Sequence, residues 1–419
     1  MSAGGTSHSA NPDWPAGAEQ QVAFQRYLDL GLPTQRDEAW RYAPTDEVAI
    51  ALTALLTDPA GATRRSIALD ITAALATALP DIALDRANTL VLINGRLTDH
   101  DTTANGWSID SNRVTGHNDT SALGALNTAC NDQTLALHVS DDSEPLNIVH
   151  IASATQPTLA SPRLQITVPT NVAASVVEHL VQLDASAPTV INAALSITLQ
   201  AGASLRWHRL QRLGGDTLSI YETHARLERD AKLEWFSLDT GAALARNHLQ
   251  IALHGDQARA DLSGVYVCSD QQVVDNRLAI RHAHPNASSS QEYAGIAGGS
   301  SRAIFHGKVR VDEGADGTVA KQRNRNLLMD NTAKIFTKPE LEIYADEVEC
   351  AHGATTGQID PDAMFYLLAR GIDPNQAKRM LVDAFVAASL TPINDTPLEP
   401  AVKQRLADKL AQLQAGVLA

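Results

Sequence analysis

Residues Ile191–Leu238 read INAALSITLQAGASLRWHRLQRLGGDTLSIYETHARLERDAKLEWFSL. Four β-rich runs stand out: Ile191–Leu199, Leu205–Leu213, Ser219–Leu227 and Leu233–Leu238. Short turns such as Gln200-Ala201-Gly202-Ala203 and Arg229-Asp230-Ala231 separate them. Alternation of apolar and polar residues between Gly, Asp, Asn or Ala turns is a strand signal. No helical pattern interrupts the series, so a βαβ architecture, whose crossovers usually need helices, is not expected. A sandwich, a barrel or a β-solenoid remains. Turns spaced this evenly over roughly two hundred residues favour the solenoid. Pattern alone leaves a large antiparallel sandwich open, because no strict sequence repeat is legible.

The same period extends outward. Ile148–Ile151, Leu164–Val168 and Ala173–Leu183 precede the quoted stretch and His248–Leu253 follows it, while Leu90–Ile93 with Asn94-Gly95 reads as a strand and turn. Before Leu90 the pattern is helical. Val22, Ala23, Phe24, Tyr27 and Leu28 fall at helical spacing until Gly31-Leu32-Pro33 stops them, and Glu47–Leu56 and Ile67–Leu79 are Ala/Leu-rich. Met1–Pro15 is small and polar and reads as a frayed tail. Near Asp360 the helical period returns. Asp360 caps with Pro361 at the first helical position and Gly371 past the end, and Asp373-Pro374 repeats the device. Ala377, Leu381, Ala384, Phe385 and Ala388 share one face. A last helix begins near Pro400 with the stripe Val402, Leu406, Leu410, Leu413. The expected organisation is a helical region over 1–89, a β core over 90–355 and a helical domain over 356–419.

Composition narrows the function. The formal net charge of −15 opposes binding to nucleic-acid phosphates or to an anionic membrane surface. Three cysteines, Cys130, Cys268 and Cys350, without a CxxC pair, fit a reducing cytoplasm better than a disulfide framework. No signal peptide is visible, and no run of eighteen apolar residues occurs.

The segment KPELEIYADEVECAHGATTG, Lys338–Gly357, is the richest in chemistry. It sets Cys350 and His352 two residues apart beside several carboxylates, and on a strand both would share a face. Thiolate and imidazole suit iron, copper or zinc. Two ligands are half of a structural zinc set, however, so a buried thiol and a hydrogen-bonded histidine explain the pair equally well. His282 and His284 form a second pair, in a stretch that reads as a surface turn. Gly298-Gly299-Ser300-Ser301 imitates an anion loop but lacks the Lys-Ser/Thr of a P-loop. No G-x-S-x-G elbow is present, and Cys268 reads as core.

Arg323-Asn324-Arg325-Asn326-Leu327-Leu328-Met329, Thr337–Asp346, Val348, Cys350, His352-Gly353-Ala354-Thr355, Gly357–Asp360, Phe365-Tyr366-Leu367 and Arg370-Gly371-Ile372 strongly resemble the SufB/SufD family signature of the SUF iron–sulfur cluster assembly system. Weaker echoes are Gly31-Leu32-Pro33-Thr34 with Glu38, Trp40, Arg41 and Tyr42, then Asn94-Gly95, Ala125-Leu126-Asn127, Pro162-Arg163 and Phe305–Val309. Thr318-Val319-Ala320 and Asn286-Ala287-Ser288 depart from the family pattern.

The resemblance implies a right-handed parallel β-helix between helical ends. Its length and short N-terminal region favour the SufD branch. As a scaffold of that branch, not an enzyme, the chain would pair with a SufB-like subunit through the β-helical core. It would hold the SufC ATPase through the C-terminal helices, for which Met364, Phe365, Leu368, Met380, Leu381 and Phe385 supply apolar surface. His352 matches the family's interface histidine, with Cys350 the weaker metal candidate. An iron–sulfur cluster would be shared transiently with SufB, and no cofactor would be stably bound by this chain alone. A homodimer is the state open to the isolated chain. Alternatives are a SufB-like paralogue carrying the cluster itself and a β-solenoid carbohydrate-active enzyme, which the 4% aromatic content disfavours.

Overall fold

A computed structural model describes residues 17–58, 69–98, 103–111, 120–131, 133–141, 143–184 and 186–416. The frayed tail expected at Met1–Pro15 and the start of the helix expected at Ile67 lie outside the described residues. The chain is mainly β. Beyond residue 130 its strands alternate between two sheets, and each pairs in parallel with the strand one coil further on. One sheet, here sheet I, runs through Ala173–Asp184, Ser204–Arg212, Lys232–Asp239, Arg259–Cys268, Ser288–Ala297 and Thr318–Leu328 to Val348–Gln358. The other, sheet II, runs through Thr189–Leu199, Thr217–Leu227, Leu244–Leu253, Val273–His282 and Arg302–Val311 to Lys334–Ile343. This is a solenoid. The antiparallel sandwich is excluded, because only the short strands near the start of each sheet pair antiparallel.

The coil closes at a repeated corner. Asn171, Gly202, Asp230, Gln257, Asn286 and Gly317 each sit between a sheet II strand and the next sheet I strand, all with φ between 57° and 71°. Gly, Asn and Asp enter this left-handed region at least cost. The next residue is buried each time: Val172, Ala203, Ala231, Ala258, Ala287 and Thr318. The amides of Asn171, Gly202, Asp230, Asn286 and Gly317 donate to carbonyls of the adjacent coil, so the corners stack as the strands do.

Between the sheets lies a continuous apolar core that includes Leu195, Ile197, Trp207, Trp235, Ile251 and Phe305. Trp207 and Trp235 stack with centroids 6.0 Å apart. Helices cover the outer faces. Helices α1 (Ala18–Leu30), α2 (Thr45–Leu56) and α4 (Ala122–Cys130) bury Tyr27, Leu52 and Leu126 against Val190, Leu218 and Leu244 of sheet II. Helix α3 (Ile71–Ala78) packs Leu75 and Ala78 onto Val91, Val149 and Val181. The C-terminal helices are α5 (Pro361–Leu368), α6 (Pro374–Val386) and, after a 3₁₀ segment, α7 (Glu399–Gly416). From Val382 onward they lie back along sheet I, burying Leu390, Val402 and Leu406 with Phe236, Val265 and Ile296.

Candidate functional site at the open end of the solenoid

The last coil is formed by Lys334–Ile343 and Val348–Gln358, each the outermost strand of its sheet. Each is bonded on one side only, to Arg302–Val311 and to Thr318–Leu328 respectively. Ten- and eleven-residue edges left bare are unusual, since such edges are templates for pairing with another chain.

Cys350 and His352 both stand on Val348–Gln358, paired with Ala320 and Gln322. Ala320 and Gln322 are buried on the inward side of their strand, so alternation sets Cys350 and His352 above them, on the face that closes the core. The two side chains differ sharply. Cys350 is half-buried against Val309, Val311 and Ala320, and this burial pushes its thiol pKa up, disfavouring the thiolate that binds metal. His352 is exposed. Beneath it lie Gln322 and then Gln291, paired in register, whose buried amides have no hydrogen-bond partner among the described residues. Nor do the described residues contain a group of three or more His, Cys, Asp or Glu side chains arranged around a metal position.

Two of the carboxylates in this segment, Glu340 and Glu342, are engaged elsewhere. Glu340 contacts Lys338 at 2.9 Å, Lys308 at 3.0 Å and His306 at 3.2 Å, and Glu342 contacts Lys308 at 2.6 Å. The Lys338 bond, above all, lowers the Glu340 carboxyl to about 2. Lys338 also reaches Glu38 at 2.7 Å. Tyr42 stacks on Phe336 at 4.1 Å, and Arg246 lies 3.8 Å over the Trp40 ring. The N-terminal Glu38–Tyr42 motif is thus a clasp that pins the last coil of sheet II.

One sequence expectation is corrected. His282 is no surface-turn residue: it ends a strand fully buried, 2.9 Å from the Ser289 hydroxyl, and burial lowers its pKa to about 4. His284 is exposed, so the pair shares no face. The Gly298–Ser301 loop is already occupied, because the Gly299 amide donates to the Asp330 carboxylate at 2.5 Å. Cys268 is core, as expected.

Of the six apolar residues singled out on the C-terminal helices, Phe365, Leu368 and Met380 are exposed. Met364 and Leu381 are half-buried, and Phe385 packs on the sheet I cluster beneath the Arg325 guanidinium. Tyr366, not singled out, is exposed beside Phe365 and carries the Arg370 guanidinium 3.6 Å over its ring.

Sequence reading also missed a charged interior. Glu178 is fully buried, accepting from Trp207 at 3.1 Å and Tyr221 at 2.5 Å and facing His150 at 3.0 Å. Burial opposes its ionisation, but His150, the Arg209 charge and the Tyr221 bond together hold its carboxyl below the usual range. Arg209 and Asp239 lie further along the same interior, 3.5 Å apart. The available signal was phase: Glu178 falls between Val176 and Leu180, on the inward alternation of its strand.

These features place the chain among known proteins. The family model described as the SufBD core domain of SUF-system FeS cluster assembly matches residues 150–385. Escherichia coli SufD, an iron–sulfur cluster assembly protein, is 28% identical over 94% of this chain and 92% of its own length. A SufBD family protein of Synechocystis is 28% identical over 92% of this chain and 89% of its own length. The chloroplastic protein ABCI7 of Arabidopsis thaliana is 32% identical over 54% of this chain and 48% of its own. The family match spans more than half of the chain and includes the last coil with Cys350 and His352: this chain belongs to the SufBD family of SUF iron–sulfur cluster assembly proteins.

Proposed function

We propose that this chain is a SufD-type, non-enzymatic scaffold working in the cytoplasm, whose open solenoid end pairs with a SufB-like chain. One observation carries the reading: two long edge strands end the solenoid uncovered, and one of them carries the exposed His352. A second solenoid end would satisfy both edges by strand addition. The imidazole would then face ligands from the partner, completing an iron site that neither chain owns, with the nascent cluster as transient cargo. The SufC ATPase would dock on α5 and α6, where Phe365, Leu368 and Met380 stand exposed on a segment whose other face is used by sheet I. Among the described residues no helix is long and apolar enough to cross a membrane.

Inward-pointing charges block edge pairing. In the Leu341→Lys/Ala354→Lys variant, co-expression pull-down should lose the SufB-like chain and retain the SufC-type ATPase. Retention of both would refute pairing through this end, and loss of both would refute a separate ATPase site.

A further inference from the structure

The outer face of sheet II holds a cavity of about 650 Å³, within the range of small-molecule sites. Its floor is left open because Ala252 and Ala279 line it on neighbouring strands, each offering only a methyl group. Its rim is cationic. Along one row of the sheet, Arg226, Ala252, Arg281 and Arg310 lie in register on four successive strands. At about 4.8 Å per strand, Arg226 and Arg281 straddle Ala252 roughly 10 Å apart. Lys308 stands in the next row beyond Ala279.

Each arginine donates through Nε to a carboxylate, and Arg310 also lies 5.2 Å over the Tyr344 ring. Arg226 donates through Nε to Glu228 at 2.6 Å, and Arg281 and Arg310 donate through Nε to the two oxygens of Asp312 at 2.5 and 2.8 Å. These bonds leave every Nη group uncommitted to those carboxylates. The three arginine side chains are 54%, 55% and 48% exposed, above an Asp312 that is 15% exposed. Burial alone would raise the Asp312 carboxyl, but the Arg310 and Arg281 bonds hold it low, so it stays an anion that orients two guanidinium groups. Lys308 is paired with Glu340 and Glu342, and Glu222 at the far end of the cavity accepts from Ser121. The positive excess therefore sits at the arginine row, where two guanidinium groups share one carboxylate. Guanidinium forks suit phosphate oxygens, and fixing them in advance lowers the cost of binding.

We propose that this hollow binds a small phosphate-bearing ligand, its diphosphate bridging Arg226 and the Arg281/Arg310 pair over Ala252. The site lies on the outer face of sheet II and is independent of the pairing and docking surfaces proposed above. It is tested by calorimetric titration of pyrophosphate, inorganic phosphate and a poly-glutamate peptide into the isolated full chain at low salt. Pyrophosphate should bind one site at least tenfold more tightly than phosphate. Its Kd should rise at least tenfold in Arg226→Ala, in Arg281→Ala and in Ala252→Leu, which fills the hollow while keeping every charge. Ala279→Leu serves in place of any variant that fails to fold. Absence of pyrophosphate binding, or undiminished binding by the filled variants, overturns the proposal. So does tighter binding of poly-glutamate, which would make the row a protein contact.

Discussion

The solenoid begins and ends differently. At its start, Thr89–Ile93 is buried at every position, is flanked by the antiparallel Arg96–Leu97, and is covered by α3. The start of sheet II is likewise closed by the antiparallel Trp107–Asp110 lying on Thr134–Val139. At the other end, no residue of Lys334–Ile343 or Val348–Gln358 is fully buried. One chain, with one repeated coil, spends helices and reversed strands on one edge and leaves the other bare. Edges are liabilities unless a partner uses them, so the bare end is the one on which the proposed pairing can be tested.

The strongest way to break this contrast is a matched pair of truncations. Leu92 is 1% exposed in the first coil, whereas Leu341 is half-buried in the last. Leu92→Ala should cost about 2–5 kcal/mol, as in closed cores. Leu341→Ala in the isolated chain should cost less than about 1.5 kcal/mol. Urea unfolding of both full-length variants measures the difference, and equal losses would mean that the last coil is as closed as the first.

The electrostatics of the last coil sharpen the contrast at intermediate size. Glu340 has its folded pKa lowered to about 2 by Lys338, with Lys308 and His306 adding to it. A lowered carboxyl pKa gives stability that is present above the unfolded value, near 4.5, and is lost as pH falls toward 2. Glu340→Gln should therefore cost about 1–2 kcal/mol at pH 7, discounting for partial exposure. It should also flatten the stability change between pH 4.5 and 2 relative to the parent. An unchanged acid limb would show that the Glu38–Lys338–Glu340 clasp does not hold the coil.

A smaller effect is expected on the C-terminal helices. Asp373 caps α6, accepting from the amides of Asn375 at 2.9 Å and Gln376 at 3.4 Å. Asp373→Ala should cost about 1 kcal/mol. Hydrogen exchange should speed first at the start of α6, leaving the strands protected. Uniformly faster exchange in the strands of sheet I would show that α6 and the solenoid open as one unit.

Much of this architecture was legible because its signals are local. The strand read at Ser219–Leu227 runs from Thr217 to Leu227, and that at Ala173–Leu183 from Ala173 to Asp184. Asp360 and Asp373 cap as their Pro neighbours suggested, and the stripe Val402, Leu406, Leu410 and Leu413 is buried. The repeat itself was hidden, because its invariant is a left-handed corner followed by a buried residue. Asn-Val, Gly-Ala, Asp-Ala, Gln-Ala and Gly-Thr all satisfy it, so conformation repeats where letters do not. Helix α4 was passed over, since Ala122–Cys130 is too short for a clear period. Long-range partners were equally out of reach. Nothing near Trp40 announces Arg246, and nothing near His282 announces Ser289. At the site, the pairing of Cys350 with His352 on one face was readable from spacing, but their unequal burial depends on Val309, Val311 and Ala320 in other strands.

The smallest expected effect on stability falls on His352, and it separates pairing from folding most cleanly. The imidazole is exposed and makes no hydrogen bond or ion pair among the described residues, so His352→Ala should shift the stability of the isolated chain by under about 0.5 kcal/mol. Cys350→Ala removes a half-buried thiol from the Val309–Val311–Ala320 cluster and should cost more. On the assembled complex the order should invert. If His352 supplies a ligand to an iron site shared across two solenoid ends, His352→Ala leaves the complex intact and lowers cluster yield sharply, because Glu340 and Glu342 are already bonded to Lys308 and Lys338 and do not replace the missing imidazole. Cys350→Ala should reduce yield less, since its raised pKa keeps the thiol protonated. Iron and sulfide analysis after anaerobic reconstitution of the co-purified complex reads both. Full cluster loading in the His352→Ala complex would remove the imidazole from the site, and a complex that no longer assembles would make His352 a packing residue of the interface. Only an intact complex with depleted cluster fits a bare end that serves chemistry as well as assembly.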